Sequence, residues 1–301
     1  MDKTFVIIVS YNGIKWYDRC LESLRQSVIP LDVVVIDNAS TDGSCEFIRQ
    51  QFPEVTLLPQ EKNLGFGRAN NLGMRYALDH GAEYVFLLNQ DAWIEPSTLK
   101  ELVEVHRSHP EYGLLSPIHL TPDKQHVEPL LLERLADGKT TDPQFVNDLY
   151  FGNLKEIYET KYVNAAAWLL PRTTLTTVGG FDPVFFMYGE DDNYINRVLF
   201  HGMKIGVCPQ IRIVHDARME RPLYDTREHE ILMLIDYTNP NVEHSVEKDA
   251  RNHRRKAFKS FLRGRKAAYR NHLEDYRLLK KNREAIENSL NTNRQPGPHW
   301  L

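Results

Sequence analysis

The run VVVIDNASTDG at residues 33–43 contains the pattern that decides the fold. Four apolar residues in a row suit a strand that is covered on both faces. They stop at Asp37, and the polar stretch ending in Gly43 reads as a turn. The same unit recurs outward from there. FVIIV at 5–9, residues 55–58 and YVFLL at 84–88 are further short apolar runs, each followed by polar residues. Helical patterns fall between and after them, at 16–26, from the 38–43 turn to 51, at 68–80 and at 96–106, the last entered through Pro96. Strands alternating with helices predict βαβ units and a mainly parallel, Rossmann-like sheet flanked by helices, an α/β fold.

The regular alternation stops after Pro117. Residues 121–160 are rich in Pro, Asp, Gly and Thr, and read as a long insertion over one face. Regularity returns as a strand at 162–170, a short helix at 173–178, a helix at 191–201 and strands at 205–207 and 211–214. Beyond 237 the chain is polar and helical to about 290, with Phe258, Phe261, Leu262, Tyr269 and Leu273 at helical spacing; the last residues read as a frayed tail. The expected division is a catalytic domain at 1–237 and a basic helical extension at 238–301.

With 301 residues, 42% hydrophobic and 26% charged, the composition is that of a folded globule. No run approaches 18 apolar residues, and the apolar stretch near the N-terminus is only five residues long, so neither a spanning helix nor a secretion signal is expected. Three cysteines (Cys20, Cys45, Cys208) are too few for a disulfide framework, and a cytoplasmic setting is the default. The overall charge of −4 hides an asymmetry: residues 251–281 hold twelve Lys/Arg against Glu274 and Asp275, a net of +10. Such a segment suits an anionic membrane or a nucleic acid, or it is a solvated face paired with the acidic body.

In an open parallel sheet, ligands bind beyond the carboxyl ends of the strands. The residues there are Ser10, Tyr11 and Asn12 after the first strand, Asp37 after the second, Asn63, Arg68, Asn70 and Asn71 after the third, and Asn89, Gln90 and Asp91 after the fourth. Asp37 alone could as well cap the next helix. The first turn, SYNGIKW, lacks the G-x-G-x-x-G of a dinucleotide site, and no P-loop is present. A nucleotide here has to be held by side chains and a metal. Glu190, Asp191 and Asp192 open a predicted helix, where acids meet the positive end of its dipole with or without a catalytic role.

Taken together, VIIVSYNG, VVVIDNASTDGS, NLGFGRANNLG, LLNQDAWI, GGFDPVFFMYGEDDNYINR and IVHD resemble the family 2 glycosyltransferases of GT-A fold, in their rhamnosyltransferase-like subgroup. The resemblance covers about residues 4–217. It implies inverting transfer of a sugar from a nucleotide-diphosphate donor, UDP- or dTDP-linked, to a glycan or lipid-linked hydroxyl in cell-surface polysaccharide synthesis. It places Ser10, Tyr11, Asn12, Asp37, Asn63, Arg68, Asn70, Asn71, Asn89, Gln90 and Asp91 around the donor. Asp91 and His215 become the ligands of Mn²⁺ or Mg²⁺, with Asn89 where the family's D-x-D has its first acid. Asp191 becomes the base, with Glu190 as the second candidate and as an acceptor contact, and Trp168 lines the acceptor. Arg197 is expected to pair with these acids or with phosphate.

Two other classes stay open at this level: a catalytically inactive glycan-binding or scaffold protein, suggested by Asn89, and a nucleic-acid binder acting through the tail, which no accompanying fold motif supports. A peripheral position on the inner membrane face and a homodimer through the C-terminal helices are the remaining expectations for the extension.

Overall fold

The computed structural model describes residues 2–136, 140–217 and 228–301. Strands β1 (Thr4–Ser10), β2 (Asp32–Asp37), β3 (Thr56–Pro59) and β4 (Tyr84–Leu88) form a parallel half-sheet in the order β3–β2–β1–β4. Helices α1 (Tyr17–Arg25), α2 (Ser44–Gln51) and α3 (Phe66–Asp79) connect them. Alternate residues of each strand serve opposite faces. Val6, Ile8, Val35 and Phe86 pack with Cys20, Leu21 and Leu24 of α1. Ile7, Val34, Ile36, Val85 and Leu87 pack with Ala69, Met74 and Ala77 of α3. Both faces are covered, which is why these strands read as unbroken apolar runs. Gly73 of α3 lies so close to Ile7 that a side chain there would collide with it.

The sheet continues through β8 (Ala167–Pro171), β6 (Tyr112–Leu120), β9 (Lys204–His215) and β5 (Ala92–Ile94), with β7 (Tyr158–Glu159) on β9. Strand β8 runs antiparallel to β4 and β6, β9 runs parallel to β6, and β5 and β7 run antiparallel to β9. Around this half lie α4 (Thr98–Ser108), α5 (Pro129–Ala136), α6 (Gln144–Phe151), α7 (Arg172–Thr177) and α8 (Glu190–Phe200). The two strands expected at 205–207 and 211–214 are one bent strand. Its register on β6 jumps from Pro117↔Cys208 to Ile118↔Arg212, so residues 209–211 bulge out. The bend lets β9 pair with β7 at one end and β5 at the other. The insertion at 121–160 is more ordered than its composition implied: it carries α5, α6 and β7, tied down by the bridges Leu120↔Val127 and Thr141↔Thr160.

The C-terminal part is α9 (Glu228–Tyr237), α10 (Val246–Leu262) and α11 (Lys266–Asn293). Ser245 caps α10 by accepting the Lys248 N–H. Phe185, Leu234, Val246, Ala250, Leu279 and Ile286 form a small separate core where the hairpin of α10 and α11 meets α9 and the body. The chain end is docked, not frayed. Gly297 donates its N–H to Thr177 O, and Gly180 donates to His299 O, both at 2.8 Å. The Ser289 hydroxyl and the Asn293 amide of α11 donate to Asp182, which is wholly buried. The extension therefore holds the segment that leads into α8. Among the described residues, no helix is long and apolar enough to cross a membrane.

Candidate active site

A cleft of about 510 Å³ opens beyond the carboxyl ends of β1, β2 and β4. Of the residues expected around the donor, Tyr11, Asn12, Asn63, Asn89, Gln90 and Asp91 line it. Val9, Trp16, Asn38, Phe66, Met187 and Tyr188 line it as well, and these were not foreseen. The strand-end loops are laced together around it. Gln90 accepts the Tyr11 N–H through Oε1 at 3.0 Å and donates Nε2 to Tyr11 O at 3.2 Å, so its amide joins β4 to β1. Gly13 lies against that amide, and a side chain there would collide with it. Asn12 Oδ1 accepts the Thr41 N–H, and the Asn12 N–H goes to Ser40 Oγ. Asn38 bridges to Leu64 N and Gly65 O. Asn12 and Ala39 both hold positive φ, 51° and 62°, a conformation that the lacing sustains at the cleft wall.

Other expected donor residues lie behind this surface. Asp37 is buried: its Oδ1 accepts from Ser10 Oγ at 3.2 Å and its Oδ2 from the Ser40 N–H at 2.9 Å, while Ser10 also bonds Tyr17 OH. Ser10 and Asp37 thus shape the floor. Arg68 donates to Pro183 O, Asn70 to Phe66 O, and Asn71 pairs with both backbone groups of Phe181. Arg68 and Asn71 brace the 181–183 segment, Asn70 bonds within its own helix, and none of the three lines the cleft.

At one end of the cleft, the pairing of Ala92 with His215 sets Asp91 beside that histidine. His215 Nε2 lies 3.5 Å from Asp91 Oδ1 and 3.4 Å from Asn89 Nδ2. Trp16 Nε1 donates to Asp216, whose N–H bonds Asp91 O, and so fixes the pair from the outside. Behind His215 lie two buried groups that sequence reasoning did not assign, His119 on β6 and Glu128. The three offer ligand atoms within 4.8 Å of one another. Asn164 Nδ2 donates to Glu128 Oε2 at 3.1 Å, and His119 Nδ1 lies 3.9 Å from that oxygen. Burial would raise the Glu128 carboxyl, but His119, His215 and Asn164 outweigh it and hold it below the usual carboxylate range. Burial pushes His119 down, toward the neutral form.

The other end is formed by the loop carrying Met187 and Tyr188, which turns through positive φ at Tyr188 and Gly189 into α8. Glu190 is buried, and its Oε2 has no hydrogen-bond partner among the described residues. Burial and the Asp191 charge push it up to about 8. Asp191 is raised chiefly by burial; its Oδ2 accepts from Tyr162 OH at 2.9 Å and its Oδ1 from the Asp192 N–H at 3.0 Å. Asp192 is pushed up to about 7 by burial and Asp191, with Arg134 opposing. The Arg134 guanidinium lies over the Tyr162 ring. Tyr162 and Arg134 are functional neighbours that only the folded chain brings to the acids.

Two expectations are corrected here. Trp168 is fully buried, with Phe181 stacked on it and Tyr194 beside it, so no face remains for a sugar. Arg197 is also fully buried; its guanidinium donates to the carbonyls of Gly180 and Val178, not to the acids or to a phosphate. Both are core residues that support the segment before α8.

The cleft at the strand ends thus runs from a carboxylate–imidazole pair to the loop that leads into a buried carboxylate cluster. The family model for glycosyl transferase family 2 matches residues 5–161, and the chain belongs to that family. It is 28% identical over 230 residues to an N-acetylglucosaminyl-diphospho-decaprenol L-rhamnosyltransferase of Mycobacterium tuberculosis, covering 70% of this chain and 75% of that one. The dTDP-rhamnosyl transferase RfbF of Shigella flexneri is 23% identical, covering 70% and 68%. The fold matches that of Staphylococcus aureus TarS 1-349 in complex with UDP-GlcNAc, with a TM-score of 0.59 and 18% identity over 97% of this chain and 90% of that one. It also matches a Pyrobaculum calidifontis mannosyltransferase in complex with GDP-Man and Mn²⁺, with a TM-score of 0.53 and 19% identity over 97% and 72%. The fold is GT-A, and the protein is a glycosyltransferase.

Proposed function

We propose that the chain inverts the anomeric centre of a UDP- or dTDP-linked sugar as it transfers that sugar to a saccharide or lipid-linked hydroxyl in cell-surface polysaccharide synthesis. The observation that carries this reading is that one cleft runs from the Asp91–His215 pair to the loop that leads into Glu190 and Asp191. The names of the mycobacterial and Shigella relatives support the donor and acceptor classes.

Tyr11, Asn12, Asn38 and Asn63 hold the base and ribose, on a floor fixed by Ser10 and Asp37. Asp91 Oδ1 and His215 Nε2 converge closely enough to ligate Mn²⁺ or Mg²⁺, a donor set that suits either ion, with the Asn89 amide beside them. When bound, the ion supplies positive charge opposite the leaving diphosphate. Asp191 takes the proton of the acceptor hydroxyl as that oxygen attacks C1 and the C1–O bond to the diphosphate breaks on the opposite face. Its raised affinity for a proton suits that task, and Tyr162 fixes its orientation. Glu190, with its free oxygen, contacts the acceptor. Phe66, Met187 and Tyr188 exclude water from the reacting atoms.

Residues 1–237 form the catalytic domain in this reading, and 238–301 a membrane-docking extension. At the end of α10, Phe258, Phe261 and Leu262 are exposed among Arg254, Arg255, Lys259 and Arg263, a combination that suits an anionic bilayer. The test of the transfer reading is a panel of nucleotide-sugars offered with lipid-linked acceptors, with the product's anomeric configuration read by NMR. An inverted glycoside is expected. A retained configuration, or no donor cleavage with any sugar, would overturn it.

A further inference from the structure

The junction of α9, α10 and α11 holds a second cluster of metal-ligating side chains, outside the segment that the family model covers. Asp275 of α11 is its centre. His253 Nδ1, from α10, lies 2.9 Å from Asp275 Oδ2, and His272 Nδ1, one turn earlier on α11, lies 3.7 Å from the same oxygen. Both Nδ1 atoms are buried, and among the described residues neither completes a hydrogen bond. His229 Nε2, from α9, is 2.8 Å from the other oxygen, Oδ1.

Four bonds of about 2.0–2.1 Å in a tetrahedron put neighbouring ligand atoms roughly 3.3 Å apart. The spacings of 2.9 and 3.7 Å straddle that value, and the three ligand atoms lie within 4.8 Å of one another. The geometry also separates the roles: His229 occupies Oδ1 and so leaves Oδ2 free for an ion. Among the described residues, a small apolar core joins this hairpin to α9. Metal binding across elements with a small core contributes directly to folding.

We propose that His253, His272 and Asp275 form a site for one divalent transition ion of the zinc class, with His229 as the positioning residue for the carboxylate and a fourth position open to water. It would pin α10 to α11, with His229 tying α9 to the ligated carboxylate, independently of the ion proposed at Asp91 and His215.

The test is titration of chelator-stripped full-length protein with Zn²⁺ in an Asp91→Ala, His215→Ala background, which removes the other site. One equivalent should bind and raise Tm. His253→Gln and Asp275→Asn should each weaken binding at least about 100-fold, and His229→Gln about 10-fold. Because these variants could loosen the hairpin, Co²⁺ absorption in the unaltered cluster gives a second readout: tetrahedral d–d bands are expected at one equivalent. No stoichiometric Zn²⁺ binding, binding indifferent to His253→Gln, or a Tm that responds to acidification but not to Zn²⁺ would each overturn the proposal, the last in favour of a protonated cluster.

Discussion

The two ends of the cleft satisfy their polar groups in opposite ways. At the nucleotide end, Asn12, Asn38 and Gln90 give their amides to neighbouring backbone, and Asp37 is bonded through both oxygens. At the α8 end, three carboxyl groups crowd together in a buried setting; all are pushed up, and one oxygen of Glu190 has no partner. The first is a preformed surface whose hydrogen bonds are already made, so it can hold a ligand without rearranging. The second holds protons poorly shared among like charges, which is where proton transfer is easiest to arrange. In the proposed reading, binding and chemistry fall at opposite ends, and each can be perturbed separately.

The largest effect should come from Asp191→Asn, which keeps shape but removes proton affinity. A positioned base contributes about 10²–10⁴-fold, so kcat should fall by that factor in a transfer assay. Near-normal turnover, with Glu190→Gln inactive, would move the base by one residue. A smaller effect is expected behind the Asp91–His215 pair. Glu128→Gln removes the charge that backs His215, and groups supporting a metal ligand are worth about 10–100-fold in metal affinity. Mn²⁺ titration monitored by electron paramagnetic resonance checks this, and unchanged affinity would reduce Glu128 to a packing residue.

The smallest effects are in stability and its pH dependence. Glu190 titrates at about 8 in the fold, against an ordinary value of 4.5. A carboxyl raised by folding contributes stability that is full below its unfolded pKa and is lost as pH rises through its folded one. Glu190→Gln should therefore melt with the parent near pH 4, and above it by a few degrees at pH 8.5. A constant difference across that range would contradict the buried, proton-sharing cluster. At the end of α10, Phe258→Ser with Phe261→Ser should reduce sedimentation with anionic vesicles and leave Tm unchanged, since both rings are exposed.

The same contrast explains what the sequence revealed. The β1–β4 half was legible because strands covered on both faces give unbroken apolar runs, and the polar residues after them fall on one rim. Strand β6 was not, because Pro117 interrupts its pattern, and β9 read as two strands because of the bulge at 209–211. Polarity alone also misplaced residues. Asn71 and Arg197 look like ligand groups, yet they bond the carbonyls of Phe181, Gly180 and Val178, partners that only the tertiary fold identifies. Trp168 looked like a sugar platform because its burial depends on Phe181 and Tyr194, which follow it in the chain. His119 and Glu128 carried no motif, since three separate segments bring them to His215. The docked chain end was hidden in a composition typical of disorder.

The division of the cleft is tested most directly by calorimetric titration of UDP and dTDP, with and without Mn²⁺, into the parent, Asp91→Ala and Asp191→Asn. For whichever nucleotide the parent binds, affinity should rise with Mn²⁺ in the parent and in Asp191→Asn to the same extent, and that gain should vanish in Asp91→Ala. A Mn²⁺ gain that survives Asp91→Ala, or one that is lost in Asp191→Asn, would contradict the separation of a nucleotide-binding end from a proton-transfer end.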